Sequence, residues 1–370
     1  MRILRSPSLG TFPVTSGLLA LLAALFLVEE LRGGSTDTLV LLRMGANFPP
    51  LVLDGQWFRL VTAALLHIGF VHLLMNGWAL FQLGRLCEIT FGSATTLSLF
   101  VYTGIAGSAL TLLSTKVSAG ASGAIFGLEG ALVAFFLRHR ERLTPAGLQL
   151  LKQLLVWSGF LLVYTFAVPG IDWLGHLGGL FAGLAIGWMI RPWNGGPPGR
   201  ISRGSAALAA ALIIVSLASL IAGERFVTRV DEARGIAIEA PAAWRIERES
   251  DALVARDPLA QLGTAAFVSA GFDPVADRAE ALDRALGVHD LPEGFQLAAE
   301  PYETGPWLRR SFVWAGAADR VELAGFAQAR CEADGCLVAF ATAAGPLYGS
   351  YFPTLERIAG SLRREGRPDE

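Results

Sequence analysis

The sequence predicts a polytopic α-helical membrane protein that carries a C-terminal soluble α+β domain. Of its 370 residues, 53% are hydrophobic and only 17% are charged, which excludes an ordinary soluble domain for at least part of the chain. Seven apolar runs of about 20 residues, each long enough to cross roughly 30 Å of hydrocarbon, lie before residue 223. The charge is also divided. Residues 1–223 carry 14 basic and 8 acidic side chains, whereas residues 224–370 carry 16 and 24.

The apolar runs predict six core spans and a seventh, at about 14–32, 60–83, 94–113, 119–137, 148–168, 172–190 and 206–222. The first run has no small-residue cleavage site, so we expect a retained span rather than a signal peptide. With the N-terminus in the cytoplasm, the inner segments hold ten basic residues and the outer segments four. This predicts a cytoplasmic N-terminus (1–13), a six-helix core (14–190), a cytoplasmic linker (191–205), a seventh transmembrane helix (206–222) and an extracytoplasmic domain (224–370).

Composition also limits the partners. No basic face for nucleic acid is present, and three cysteines are too few for a disulfide scaffold. We see no cofactor motif or metal-ligand spacing. The basic residues are nearly all arginine, which indicates a GC-rich bacterial source. An integral protein of the bacterial inner membrane is therefore the predicted localisation.

Two regions outside the spans have readable patterns. The long outer connection 33–59 is predicted to lie partly in the bilayer interface, with Trp57 and Arg59 as its anchors. In the C-terminal domain, alternating stretches predict strands at Gly235–Glu239, Thr264–Ser269, Leu308–Val313, Val321–Ala329 and Cys336–Thr342, and helices at Asp277–Leu286 and Tyr351–Arg364.

Five polar residues are predicted to meet at one depth of the membrane. His67, His72 and Asn76 lie in the first half of span two, Ser122 opens span four, and His176 opens span six. From Asn76 to Ser122 is 46 residues and from Ser122 to His176 is 54, each about two spans plus loops. The chain therefore returns to the same outer leaflet each time. Polar side chains inside a membrane are costly, so they indicate a functional site.

A serine and a histidine at one depth indicate nucleophilic catalysis. Serine is a weak nucleophile alone and needs a base within hydrogen-bond reach, which His176 can supply to Ser122. Gly120 and Gly123 clear space around the hydroxyl for a substrate backbone. An oxyanion would need donors, and the side chains of His72 and Asn76 with the Ser122 backbone N–H are the candidates.

A stripe of glycines explains how the two helices meet. Gly179, Gly183 and Gly187 follow His176 at intervals of four and let span six approach a neighbour closely. Span four, with Gly123, Gly127, Gly130 and Ala131, is the expected partner.

With these motifs together, residues 55–190 resemble the rhomboid family of intramembrane serine proteases. The matching pieces are Gln56-Trp57-Phe58-Arg59, His67-x4-His72-x3-Asn76, Gly84-x3-Glu88-x3-Gly92, Gly120-Ala121-Ser122-Gly123 and His176-x2-Gly179-x3-Gly183. The resemblance implies the rhomboid fold, a Ser122–His176 dyad, an oxyanion site from His72 and Asn76, and cleavage of transmembrane protein substrates near the outer face of the bilayer. Phe126 stands where some members carry a tyrosine packed on the catalytic histidine, and packing alone should keep the dyad intact.

Other polar residues have structural interpretations. We expect His67 to tie the outer loop to span two and Glu88 to be a hydrogen-bonding hub near the cytoplasmic side. Glu129 is either protonated and hydrogen-bonded to a neighbouring span or holds a water for hydrolysis, and the sequence does not choose. Asp172 is expected to cap span six, with a triad role for His176 as the alternative.

Two other functions remain alternatives. An inactive rhomboid-like protein would bind membrane clients without cutting them, but such a protein would more naturally have lost the serine or the histidine. A polytopic transporter would more naturally show repeated halves with broken helices, and none is visible. The sequence makes no prediction of oligomeric state.

The C-terminal domain weakly resembles the PsbP/Mog1 type, through Gly235-Ile236-Ala237-Ile238-Glu239-Ala240-Pro241-x2-Trp244. No ligand follows from that resemblance. Cys331 and Cys336 flank an Asp-Gly turn and are predicted to form a disulfide across a hairpin. Cys87 should remain a free thiol. The alternative is unpaired thiols in a cytoplasmic tail, which would require six spans.

Overall fold

The structure is a computed structural model of the chain. It describes residues 12–190, 203–223, 225–249, 252–259, 266–274, 277–287, 294–298, 300–315 and 321–365. Two compact units are present, residues 1–220 and residues 221–370. The predicted cytoplasmic N-terminus and the predicted linker 191–205 fall almost entirely outside the described residues.

The first unit is helical. Its helices are α1 (Pro13–Leu31), α2 (Thr38–Arg43), α3 (Pro49–Leu53), α4 (Arg59–Thr62), α5 (Phe70–Phe91), α6 (Ser93–Leu110), α7 (Ser122–Arg138), α8 (Pro145–Ala167), α9 (Trp173–Met189) and α10 (Arg203–Gly223). The last residues of α10 belong to the second unit. Each of the seven predicted runs falls on one of the long helices, in agreement with a polytopic helical membrane protein. The outer connection 33–59 contains the short helices α2 and α3.

Span-forming helices can be recognised within the described residues by length and apolar character. Four qualify alone: Pro13–Leu31, Ser93–Leu113, Pro145–Ala167 and Gly204–Ala222. A fifth would be the bent pair Arg59–Leu65 and Phe70–Phe91, while Trp173–Met189 is apolar but shorter. The count of seven spans therefore stays a prediction.

The second predicted span is not one straight helix. The chain bends by 93° between Leu65 and Phe70, and α5 then continues to Phe91 rather than ending near 83. Gly69 sits at the bend with φ +83°, a conformation that favours glycine. His67 lies in the bend and not in a helix, whereas His72 and Asn76 lie in α5.

Helix α7 lies at the centre of the helical unit. Twelve of its 17 residues are buried, among them Leu128 and Leu132, each 0% exposed. A helix that is apolar all round is typical of such a buried position. This places Ser122, the first residue of α7, at one end of the central helix.

Helices α7 and α9 pack backbone to backbone, as the glycine stripe predicts. A Cβ added to Gly179 would overlap the carbonyl oxygen of Gly123, and one added to Gly183 would overlap that of Gly127. The same holds for Gly187 against Ala131. Only glycine permits this separation, so the stripe fixes where α9 lies beside α7.

The second unit is sheet-rich and fits a soluble domain. An eight-stranded antiparallel sheet has the order β3-β4-β5-β10-β9-β8-β6, with β7 paired to β8, and a three-stranded sheet has the order β1-β2-β11. The elements are β1 (Phe226–Asp231), β2 (Ile236–Pro241), β3 (Arg245–Arg248), β4 (Ala252–Arg256), β5 (Phe267–Asp273), α11 (Arg278–Leu286), β6 (Phe295–Leu297), β7 (Tyr302–Thr304), β8 (Trp307–Ala315), β9 (Val321–Glu332), β10 (Gly335–Ala344), α12 (Tyr348–Gly360) and β11 (Arg363–Arg364).

The five predicted strands correspond to β2, β5, β8, β9 and β10, although Thr264 lies outside the described residues. The predicted helix Tyr351–Arg364 runs too far, because Arg363–Arg364 pair with β2 as a short strand. Cys331 and Cys336 are register partners across the β9–β10 hairpin and form the predicted disulfide. Cys87 is a buried free thiol, also as predicted.

Candidate active site

Ser122 and His176 are hydrogen-bonded to each other. Ser122 Oγ lies 2.8 Å from His176 Nε2, although 54 residues separate them in sequence. Both side chains belong to the first turns of their helices, α7 and α9, as the sequence predicts. His176 is buried, with 8% of its surface exposed. The pair therefore has the geometry in which a histidine can take a proton from a serine hydroxyl.

The segment before Ser122 is built from small residues for a steric reason. Gly120 has φ +149°, and a Cβ there would lie 2.7 Å from His72 Cε1. Its N–H donates to the Ala63 carbonyl at 2.9 Å, which fixes the approach to α7. A Cβ on Gly123 would lie 3.1 Å from the Gly175 carbonyl oxygen. Gly120 and Gly123 thus keep Ser122 close to both α5 and α9.

His72 and Asn76 share one side of α5 and line the same cavity as the pair. The Asn76 side-chain amide donates to the His72 carbonyl at 3.0 Å and is buried, with 6% exposed. The cavity has a volume of about 1540 Å³ and is also lined by Gly120, Ser122 and His176. Four of the five polar residues predicted to meet therefore line one cavity, and their common depth in the membrane stays a prediction.

Two further residues contact the His176 ring. Phe126, one turn below Ser122, stacks on it with 4.4 Å between ring centroids and 18° between planes, as the resemblance implied. Thr165, near the end of α8, places Oγ1 2.8 Å from His176 Nδ1. The sequence analysis missed Thr165, and its one signal is a hydroxyl in the last turn of the helix that precedes α9.

Asp172 is the N-terminal cap of α9. One carboxylate oxygen accepts from the Gly175 N–H at 2.9 Å, and the other accepts from the hydroxyls of Thr111 and Ser118, each at 2.6 Å. The cap predicted from the sequence is confirmed. Both ring nitrogens of His176 have other partners, Ser122 and Thr165, so Asp172 is not an acceptor for the ring in this structure.

Glu88 is the predicted hydrogen-bonding hub at the far end of α5. It accepts from the backbone N–H and the hydroxyl of Thr15, at 2.7 and 2.6 Å, and from the Ser93 hydroxyl at 2.6 Å. These contacts join α1, α5 and α6. Glu88 is therefore a structural residue away from the Ser122–His176 pair.

Glu129 also joins helices. Its carboxylate accepts from the Ser158 hydroxyl at 2.9 Å, which connects α7 to α8. The sequence left two interpretations of Glu129 open. The bond from Ser158 agrees with the first, a hydrogen bond to a neighbouring helix.

The interfacial role predicted for Arg59 is corrected. Arg59 is only 4% exposed and donates to the carbonyls of Leu42 and Ala46 at 2.6 and 2.9 Å, so its guanidinium holds the connection 33–59 from inside the protein. Trp57, by contrast, is 58% exposed. The expectation that His67 ties the outer loop to span two stays a prediction. The backbone N–H of His67 donates to Glu29 of α1 at 3.1 Å, and its ring packs edge-on against His72.

No group of three or more metal-ligating side chains occurs within the part of the chain that the structure describes. The fold and the site together define a polytopic membrane protein with a serine–histidine pair in a cavity among its helices.

Comparison with known proteins agrees with this class. The Rhomboid domain family model matches residues 54–193. The chain is 41% identical over 167 residues to rhomboid protease GluP of Bacillus subtilis, which covers 45% of this chain and 32% of that protein. It is 32% identical over 185 residues to the putative rhomboid protease YdcA of the same organism, which covers 48% of this chain and 88% of that protein. The chain belongs to the rhomboid family.

The predicted family is thereby confirmed, and the names of both relatives support the predicted enzyme class, a rhomboid-type serine protease. Rhomboid-like protease 1 of Toxoplasma gondii is 33% identical over 159 residues, 40% of this chain and 53% of that protein. The match thus spans about a third of GluP and about half of the Toxoplasma protein.

A solved structure of the PsbP type is among the matches to this chain. Cyanobacterial PsbP from Synechocystis superposes with a TM-score of 0.30 at 12% identity, over 38% of this chain and 93% of that one. A TM-score of this size does not establish a shared fold, so the PsbP/Mog1 resemblance stays a prediction.

Proposed function

We propose that the chain is an intramembrane serine endopeptidase in which Ser122 is the nucleophile and His176 the general base. The observation that carries the proposal is the 2.8 Å hydrogen bond between Ser122 Oγ and His176 Nε2 in a largely buried cavity. Membership of a family whose bacterial relatives are named rhomboid proteases supports it. The substrates are transmembrane proteins, and the enzyme binds them within the lipid bilayer.

The chemistry follows from the pair. Ser122 Oγ attacks a peptide carbonyl carbon while its proton passes to His176 Nε2. The tetrahedral intermediate then collapses, the C–N bond breaks, and the same proton goes to the leaving amine. Water then attacks the ester carbonyl carbon while His176 takes one of its protons; the bond between that carbon and Ser122 Oγ breaks, and the proton passes from His176 to Ser122 Oγ.

The oxyanion needs donors at the position where its charge develops. His72 and Asn76 supply side-chain N–H groups from the cavity wall formed by α5. The backbone N–H of Ser122 belongs to the first residue of α7, where N–H groups have no partner inside the helix. The positive end of the helix dipole at this point favours an anion as well.

The depth of cleavage follows from the orientation. With the N-terminus in the cytoplasm, α7 and α9 both begin at the outer side of the membrane, so the Ser122–His176 pair lies just below the outer surface. Substrates are then cut near their outer end. The same orientation puts residues 224–370 outside the cytoplasm of a bacterial inner membrane.

Co-expression tests the proposed function. Wild type and Ser122→Ala are each produced with a panel of tagged single-span proteins, and fragments are sought by immunoblot. Fragments formed only with wild type support a protease. Stable co-purification of uncut single-span proteins with both forms, and no fragment with either, would favour the client binder instead.

Asp172→Asn is expected to keep activity within a few-fold of wild type. Asparagine retains one carbonyl oxygen to cap the Gly175 N–H, and the neighbouring hydroxyls can reorient toward its amide. Asp172→Ala removes the cap and should lower the free energy of unfolding by about 1 kcal/mol or more. Initial cleavage rates and thermal midpoints in detergent measure the two effects. A loss in Asp172→Asn as large as that of His176→Ala would restore the triad interpretation.

The orientation is tested on a fusion protein and the disulfide on the intact chain. Alkaline phosphatase fused after Val230 should be active, because the proposed orientation places this position outside the cytoplasm. Alkaline phosphatase itself needs such an oxidising compartment for its activity. Alkylation under denaturing conditions should label one thiol, Cys87, without reductant and three with it. An inactive fusion rejects the orientation, and three labelled thiols without reductant reject the Cys331–Cys336 bridge.

A further inference from the structure

The ring nitrogen of His176 that faces away from Ser122 also has a partner. Thr165 Oγ1 lies 2.8 Å from His176 Nδ1, and both side chains are buried, with Thr165 only 2% exposed. We propose that Thr165 is the positioning residue of the dyad: its hydroxyl oxygen accepts the Nδ1–H of His176 and so keeps Nε2 free to receive the proton of Ser122. This inference rests on the proposed function.

Tautomer choice is the reason that the contact matters. A neutral imidazole carries one N–H, and the hydrogen bond made by one nitrogen decides which nitrogen is protonated. With the proton on Nδ1, the Nε2 lone pair faces Ser122 and can act as a base. During attack, the Ser122 proton moves to Nε2, and the positive ring keeps its Nδ1–H bond to Thr165. Thr165 itself neither gains nor loses a proton.

Local chain geometry holds Thr165 in place. Helix α8 ends at Ala167 and α9 begins at Trp173, so a five-residue connection brings the end of one helix beside the start of the next. The buried residues of α8 are Leu151, Leu154 and Thr165, and only the last has a polar side chain. Among the buried side chains of α8, the one hydroxyl is therefore the one that faces the dyad.

The other neighbours of the ring do not supply this acceptor. Phe126 covers the flat face of the imidazole and offers no polar atom. Asp172 is one turn before His176, but its carboxylate already accepts from Gly175, Thr111 and Ser118. Thr165 therefore takes the place that a third triad member holds in soluble serine proteases.

Three variants test the proposal on the full-length protein in detergent. Thr165→Val keeps the branched shape and removes the oxygen, while Thr165→Ser keeps the oxygen. Thr96→Val is the matched control, because Thr96 is also buried and its hydroxyl donates to the carbonyl of Gly92, the residue that precedes α6, at 3.1 Å. The readout is the rate at which a fluorophosphonate probe labels Ser122, followed by kcat and KM on a cleaved single-span reporter.

Loss of a hydrogen bond to a group that becomes charged predicts labelling about 10- to 100-fold slower in Thr165→Val. The reporter should show the loss in kcat with KM unchanged, since Thr165 does not touch substrate. Thr165→Ser should be within about threefold of wild type, and Thr96→Val should match wild type. Thr165→Ala removes the same oxygen and gives the same readout if the valine variant does not fold.

Wild-type labelling rates in Thr165→Val, or equal losses in Thr165→Ser and Thr165→Val, would overturn the positioning role. The proposed function has a separate readout. If wild type and Ser122→Ala were labelled alike, the dyad itself would be rejected, whatever the Thr165 variants did.

Discussion

Ser122→Ala and His176→Ala are each expected to abolish cleavage while leaving the protein folded. Ser122→Ala removes the nucleophile. His176→Ala removes the base whose Nε2 lies 2.8 Å from Ser122 Oγ. Since the two act as one unit, the double variant should be no slower than either single one. Purified proteins in detergent, assayed against one single-span reporter, give the comparison, and thermal midpoints establish that each variant is folded.

Asn76→Ala provides the contrast within the same cavity. It removes one proposed oxyanion donor and leaves the dyad, so we expect a loss on the order of 10²–10³ in kcat with measurable activity remaining.

Substantial cleavage by folded Ser122→Ala would contradict the proposed Ser122–His176 dyad. So would a double variant far slower than either single one, because that would mean independent roles.

Gly179→Ala is expected to destabilise the helical unit strongly. Its new methyl group would overlap the Gly123 carbonyl oxygen of α7, and a backbone atom cannot move aside as a side chain can. Overpacking of a core typically costs about 1–3 kcal/mol, and a clash with backbone belongs at the upper end. The displaced helix carries His176 three residues away, and a shift of about 1 Å can cost on the order of 10²-fold in rate.

Gly159→Ala is the matched control for this substitution. Gly159 lies in α8, where a Cβ would meet nothing within 4 Å. Alanine is favoured over glycine inside a helix by about 1 kcal/mol, so this variant should be neutral or slightly stabilised. Thermal midpoints and reporter cleavage are measured for both. Equal behaviour of Gly179→Ala and Gly159→Ala would mean that α7 and α9 are not held together as described.

The helical positions and the Ser122–His176 contact could be predicted because they depend on repeating features. Apolar length predicts helices, and alternate crossing of the bilayer predicts which helix ends share a depth. Glycines every four residues on α9 match small residues on α7, so the pairing follows from spacing. Each of these patterns extends over many residues, so a single exceptional residue does not change the prediction.

Features set by one contact could not be predicted. Thr165 is one of several polar residues in α8, and its contact with His176 depends on how the connection 168–172 turns. The burial of Arg59 depends on loop carbonyls whose direction the sequence does not reveal. The position of His67 outside a helix could not be predicted, because the bend before α5 interrupts an apolar run. Gly69 is the one residue in the sequence that indicates this bend.

The soluble domain was predicted least completely. Strands β9 and β10 extend over 12 and 10 residues, whereas β6, β7 and β11 have only two or three residues each. Strands this short are fixed by pairing with a neighbour and not by their own pattern. The Cys331–Cys336 bridge was predictable because the Asp-Gly turn sets the register of its hairpin.

Mapping of a covalent adduct tests the central claim most directly. The full-length wild-type protein is treated with a fluorophosphonate probe, and intact mass followed by peptide sequencing locates the modified residue. The account predicts one adduct, on Ser122, which is absent in Ser122→Ala and strongly reduced in His176→Ala. An adduct on another residue, or labelling that persists undiminished without His176, would contradict a Ser122–His176 dyad.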